Sequence, residues 1–130
     1  LIAAMFLRVY PQEGQRIPKS FEAFVSAVSD WQGMFIEMDG SFVWSFEMDG
    51  NRFQIDGMVY DREGAIEYLE LKGNWNPGAW TEIMTALVES PIEPKAWDRL
   101  FRIHDVANES WHTPSAILDR FQGGMLSDGD

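Results

Sequence analysis

The chain has 130 residues, a size that one hydrophobic core can serve, and 45% of them are apolar, including six Trp and nine Phe, which excludes wholesale disorder. Acidic residues outnumber basic ones 21 to 10, and the formal charge of −11 opposes direct binding to nucleic-acid phosphates, which needs clustered Lys and Arg. The absence of cysteine rules out disulfides, thiolate zinc sites and cysteine nucleophiles, and is compatible with a reducing compartment.

The first apolar run, Leu1 to Leu7, lacks a basic region before it and is too short for a spanning helix or a signal peptide, so the protein reads as cytoplasmic and not membrane-bound. Leu1 is not Met, so the chain is processed, truncated, or begun upstream of a start at Met5. Met5 to Tyr10 alternates Phe6, Arg8 and Tyr10 with Leu7 and Val9 and ends at Pro11, which predicts a strand at a sheet edge. From Ser20 the apolar period changes. Phe21, Phe24, Val25, Val28 and Trp31 share one helical face, with Ser20 as N-cap and Gly33 at the left-handed C′ position.

A β-meander follows over residues 34–71, and its turns can be read from parity. Directly opposed residues share a face, so each loop must align the apolar sets of its two strands. Met34, Ile36 and Met38 are even, as are Phe42, Trp44 and Phe46, which requires an odd loop: Met38, Asp39 and Gly40, with Gly40 in a G1 bulge. Phe53, Ile55 and Val59 are odd, so the next turn must be even: a type I′ turn at Asp49 and Gly50 that opposes Phe46 to Phe53, Trp44 to Ile55 and Phe42 to Gly57. Gly57 then lies beneath an aromatic ring. A four-residue loop from Asp61 to Gly64 opposes Val59 to Ile66, and the opposite facing of Leu69 and Leu71 calls for a bulge or for cover on both faces.

Three helices close the chain. Asn76 and Pro77 open one with Trp80, Ile83, Met84, Leu87 and Val88 on its face, stopped by Pro91. Pro94 opens another with Trp97, Leu100, Phe101 and His104, ending near 108–110, and Thr113 and Pro114 open a short one ended by Gly123. The expected architecture is α+β, with an N-terminal strand plus a four-strand meander forming a mostly antiparallel sheet, one helix before the meander and two to three after it. Residues 1–123 form the single domain and 124–130 an acidic, frayed tail.

No catalytic residue, metal site or cofactor is predicted. The Asp-Gly pairs read as turns, because successive turns lie at opposite ends of a meander, ~20 Å or more apart. His104, Asn108 and His112 would stack only if the Pro94 helix ran on, and Thr113-Pro114 argues for a break before His112. Carboxylates are too numerous for a pair to signify an acid and base, and no glycine-rich phosphate loop is present. Two surfaces remain. The second face of the meander carries Phe35, Glu37, Val43, Ser45, Glu47, Arg52, Gln54, Asp56, Met58 and Tyr60, joined by Leu69 and Leu71 in the register above. Its apolar end and acidic remainder fit a protein partner or self-association as a homodimer, unless a C-terminal helix covers it. The alternative is a small-molecule pocket or active site between the sheet and the later helices, lined by Trp80, Trp97, His104 and Trp111 together with Trp75.

Overall fold

The fold is that of a computed structural model, which describes residues 3–128, with the side chains of residues 4–121 except Met48. Among the described residues the elements run β1 (Ala3–Pro11), α1 (Phe21–Ser29), β2 (Met34–Ile36), β3 (Ser41–Met48), β4 (Asn51–Arg62), β5 (Ala65–Trp75), α2 (Pro77–Ala86), α3 (Pro94–Trp97), β6 (Phe101–Asp105), β7 (Ser110–His112) and α4 (Pro114–Asp128). The seven strands form one antiparallel sheet in the order β2-β3-β4-β5-β1-β6-β7. The architecture is therefore α+β. No described helix is long and apolar enough to cross a membrane.

Parity fixes the first two hairpins. Between β2 and β3, Ile36 opposes Phe42, Glu37 donates to the Ser41 carbonyl, and Gly40 at φ 96° closes a three-residue loop. Between β3 and β4, Asp49 (φ 54°) and Gly50 (φ 78°) are both left-handed, as a type I′ turn requires, and Phe46, Trp44 and Phe42 oppose Phe53, Ile55 and Gly57. The Phe42 ring lies over Gly57 so closely that an added Cβ would land on it. Helix α1 begins at Ser20, whose hydroxyl accepts from the Ala23 amide at 3.1 Å, and α2 begins at Asn76, whose side chain accepts from the Ala79 amide at 2.7 Å.

Several expectations are overturned. The β4–β5 turn holds two residues, Glu63 (φ 52°) and Gly64 (φ 86°), so Val59 opposes Leu69 instead of Ile66. A register shift after Tyr60 leaves Glu67 as the extra residue of a bulge, and this returns Ile66 to the side of Leu69 and Leu71. Leu69 and Leu71 are consequently core residues with no exposure and do not join the second face. The Pro94 helix ends at Trp97, and the next segment is strand β6. Trp97, Leu100, Phe101 and His104 match a helical period by coincidence, whereas Phe101, Ile103 and Asp105 are alternately buried, the strand period. Strand β6 then pairs with β1, which places β1 inside the sheet instead of at its edge. Gly33 is left-handed (φ 81°) but starts the approach to β2; α1 has already ended, with Asp30 as its C-cap. Helix α4 passes through Gly123 and Gly124 to Asp128, a run that glycine weakens by about 1 kcal/mol per residue without forbidding. Of the expected tail, residues 129–130 lie outside the described residues.

All four helices contribute to one core on a single face of the sheet. Leu7, Val9, Ile55, Leu69, Leu71 and Ile103 pack there against Phe24 and Val28 of α1, Trp80, Ile83 and Met84 of α2, Trp97 of α3, and Ile117 and Phe121 of α4. Inserting a methyl beneath the Phe42 ring overpacks this core. Gly57→Ala is expected to lower stability by about 1–3 kcal/mol, read as a shift of the urea midpoint, and Gly57→Ala combined with Phe42→Leu should recover part of that loss.

Candidate functional site

Register places the side chains of the other sheet face in rows that run across the strands. One row holds Met58, Glu70, Arg8, His104 and Trp111 on β4, β5, β1, β6 and β7. The next holds Tyr60 opposite Tyr68 and Tyr10 opposite Arg102. In this region the rings form a continuous chain of contacts, stacked except at Tyr10–Trp111, where the planes are tilted by 48°. Tyr60 and Tyr68 lie 4.5 Å apart with planes 17° apart, Tyr68 and Tyr10 lie at 5.0 Å and 22°, Tyr10 and Trp111 at 5.6 Å, and Trp111 and His104 at 4.6 Å and 25°. The Arg102 guanidinium sits 4.7 Å from the Trp111 ring and 5.5 Å from that of Tyr10, with its Nε–H donated to the Pro11 carbonyl.

Charge within the face is ordered as well. Arg8 donates to Glu70 at 2.8 Å, and this bond raises the guanidinium pKa above its ordinary value. Burial among the rings pushes the Tyr68 hydroxyl up, with Tyr60 and Tyr10 beside it adding to the effect. Lys72 lies 4.8 Å over the Phe6 ring.

The six residues expected on this face are all found there. Phe35 and Val43 oppose each other across β2 and β3 and are 65% and 38% exposed. Glu37 is exposed just past β2, Glu47 is exposed with Arg52 at 3.6 Å, and Met58 and Tyr60 are half-buried. The four residues of the expected pocket are not brought together. Trp80 and Trp97 are buried in the core, while His104 and Trp111 stack on the opposite face, because β6 is a strand and alternates its side chains. Trp75 also belongs to the core, edge to face with Trp80 at 5.5 Å. Sequence reasoning missed Arg8, Tyr10, Tyr68, Glu70 and Arg102 as members of the face. The alternation Phe6, Arg8, Tyr10 could have found the first two, had β1 been placed beside β5.

A second polar cluster ties α4 to β6 and β7. Buried Asp105 accepts from the Asn108 side chain at 2.9 Å, the Asn108 amide at 3.3 Å and Arg120 at 3.2 Å. Arg120 also reaches His112 Nε2 at 3.2 Å, and the Ser110 hydroxyl lies 2.8 Å from the same nitrogen. Arginine can only donate, so Nε2 is an acceptor and its lone pair is engaged by the guanidinium. That leaves it poorly suited to lift a proton from Ser110, and the cluster reads as a clamp for α4. Beside it, Phe6, Lys72, Asn74, Asp105, Asn108 and Arg120 line an open groove of about 490 Å³. Among the described residues no group of three or more His, Asp or Glu is placed to hold a metal ion.

No family model matches the chain, and neither does any curated protein or solved structure.

Desolvation pushes the Asp105 carboxyl up, but the hydrogen bonds from Asn108 and Arg120 outweigh it and hold its pKa below the ordinary value. A carboxylate depressed in the folded state stabilises the fold above its unfolded pKa of about 4 and loses that contribution as pH falls through the lower folded value. Asp105→Asn should therefore be less stable than the parent at neutral pH, by about 1.5–3 kcal/mol for charged hydrogen bonds of this kind. The gap should narrow on acidification below pH ~4, measured by urea denaturation across pH.

Proposed function

We propose that this is a non-catalytic interaction domain, a soluble cytoplasmic protein that binds a protein partner through the helix-free face of its sheet. The observation that carries this reading is the stack from Tyr60 through Tyr68, Tyr10 and Trp111 to His104, left uncovered by every described helix. Tyr, Trp and Arg are the residue types that dominate binding energy at protein interfaces, and here they sit together around Arg102.

The stacking also favours protein over other ligands. A base or a sugar ring binds such surfaces by lying on an open aromatic face. Tyr68 has rings on both of its faces, and Tyr10 and Trp111 are hemmed in by their neighbours and by Arg102. Rings whose faces already hold one another leave little room for an intercalating ring and suit contact by shape-complementary side chains. The cations nearby, Arg8, Lys72 and Arg102, are too few to track a phosphate backbone.

A photoreactive residue at Val43 or Phe35, compared with one at exposed Glu82 on α2, tests the reading in cells. Protein adducts are expected from the two sheet positions and not from position 82; equal labelling at all three, or none at the sheet positions, would sink it. With a captured partner in hand, Trp111→Ala should cost more than ~2 kcal/mol of binding. The same change should move folding stability by less than about 1 kcal/mol, since the side chain is 51% exposed.

A further inference from the structure

Resting on that reading of the face, we propose that its occupant is a second copy of this chain, packed sheet against sheet about a two-fold axis that runs along β5. Strand β5 is the middle of the seven, with β2 and β7 each three strands away on either side. A two-fold along it keeps every row and exchanges β4 with β1, β3 with β6, and β2 with β7.

Three independent features of the face agree with that operation. The first is charge. On the β2–β4 side the face and the adjoining turn carry Glu37, Asp39 and Asp56, while Arg52 and Arg62 lie beside Glu47 at 3.6 Å and Glu67 at 3.7 Å; on the β1–β7 side the strands carry Arg8 and Arg102 and no carboxylate on this face. The exchange lays the acidic half of each copy on the basic half of the other. Asp56 comes within a row of Arg8, and the Glu37–Asp39 turn comes over Arg102. Glu13, 4.0 Å from Arg102 and 89% exposed, is too loosely held to prevent this.

The second is apolar surface. The large exposed apolar side chains on the strands of this face sit at its two margins, Phe35 and Val43 at one and Trp111 at the other. The same rotation lays the β7 margin of each copy on the β2 margin of the other, with Trp111 over Glu37 and one row from Phe35, so that both margins are covered at once. A copy related by this axis covers both by construction.

The third is size. The exchange overlaps β5 on itself and β4 on β1 along most of their length, and β3 on β6 and β2 on β7 at their ends. That is roughly 500–600 Å² in projection at ~3.3 Å per residue and ~4.8 Å per strand, at the small end of stable interfaces, for which ~800 Å² per partner is standard. On the axis Glu70 meets its own copy, but each carboxylate is already held by Arg8 of its own chain at 2.8 Å.

Sedimentation equilibrium of the full chain tests the proposal. A dimer is expected, and Trp111→Ala should weaken it about tenfold or more. Arg102→Glu and Glu37→Arg should each weaken it, because each sets like charges against each other, and a mixture of the two variants should restore a heterodimer, because both contacts are then attractive. Recovery on mixing also shows that neither variant fails to fold. A chain that stays monomeric while its sheet positions still crosslink to another protein overturns the second copy and leaves the face as a protein site. A dimer indifferent to Trp111→Ala and to both charge swaps overturns the proposal and the face together.

Discussion

Side chains alternate along a strand, so two neighbouring strands can bury a common face only if the residues that their connection sets opposite each other have the same facing. Each hairpin of this sheet meets that condition in its own way. Three residues link β2 to β3, two left-handed residues link β3 to β4, and the β4–β5 hairpin needs a two-residue turn plus a bulge at Glu67. Without the bulge, Ile66 would face solvent whenever Leu69 and Leu71 faced the core. With it, Ile66, Leu69 and Leu71 are all buried, and Tyr68 lands beside Tyr60 and Tyr10. The same local irregularity thus completes the core on one side and the aromatic stack on the other.

All described helices lie on one face, which leaves the sheet a two-layer structure with an unprotected side. An antiparallel sheet can present such a side to water when it is polar. Here it is polar only in part. The helical side holds the core, with Trp75, Trp80 and Trp97 fully enclosed. The edges of the sheet are safer: β2 and β7 each have three residues, too short to template long pairing with another chain.

Much of this was legible before the structure. Alternation with a period of two, Asp-Gly pairs and parity were enough for β2, β3 and β4, including the placing of Gly57 under Phe42, because these signals are local. Caps at Ser20 and Asn76 were legible for the same reason. The β4–β5 turn was not, since Glu63 takes a left-handed conformation that Asn, Asp and Gly adopt more readily, and the residue spacing alone cannot distinguish a bulge from a longer loop. Strand β6 was hidden because Trp97, Leu100, Phe101 and His104 satisfy a helical period as well as Phe101, Ile103 and Asp105 satisfy a strand period. The choice between them is made by β1, whose Leu7 to Pro11 pair with β6 90 to 98 residues later in the chain. Missing that one pairing misplaced β1 at an edge and concealed half of the candidate face.

The clamp around Asp105 links the two sides of the molecule. It lies on the core side of β6, yet the strand it secures presents Arg102 and His104 to the open face. Helix α4 is held by Arg120 to Asp105 and by Ser115 to Asp98, whose carboxylate accepts the Ser115 amide at 2.9 Å. These bonds fix the position of β6 and β7 against β1 from behind, where the short β7 has little pairing of its own. Strand β7, which carries Trp111 into the stack, is held from that side by Arg120, 3.2 Å from His112 Nε2. The basic, aromatic end of the face is in this sense built from the helical side. Its geometry depends on charged hydrogen bonds that no solvent-facing residue of the stack makes.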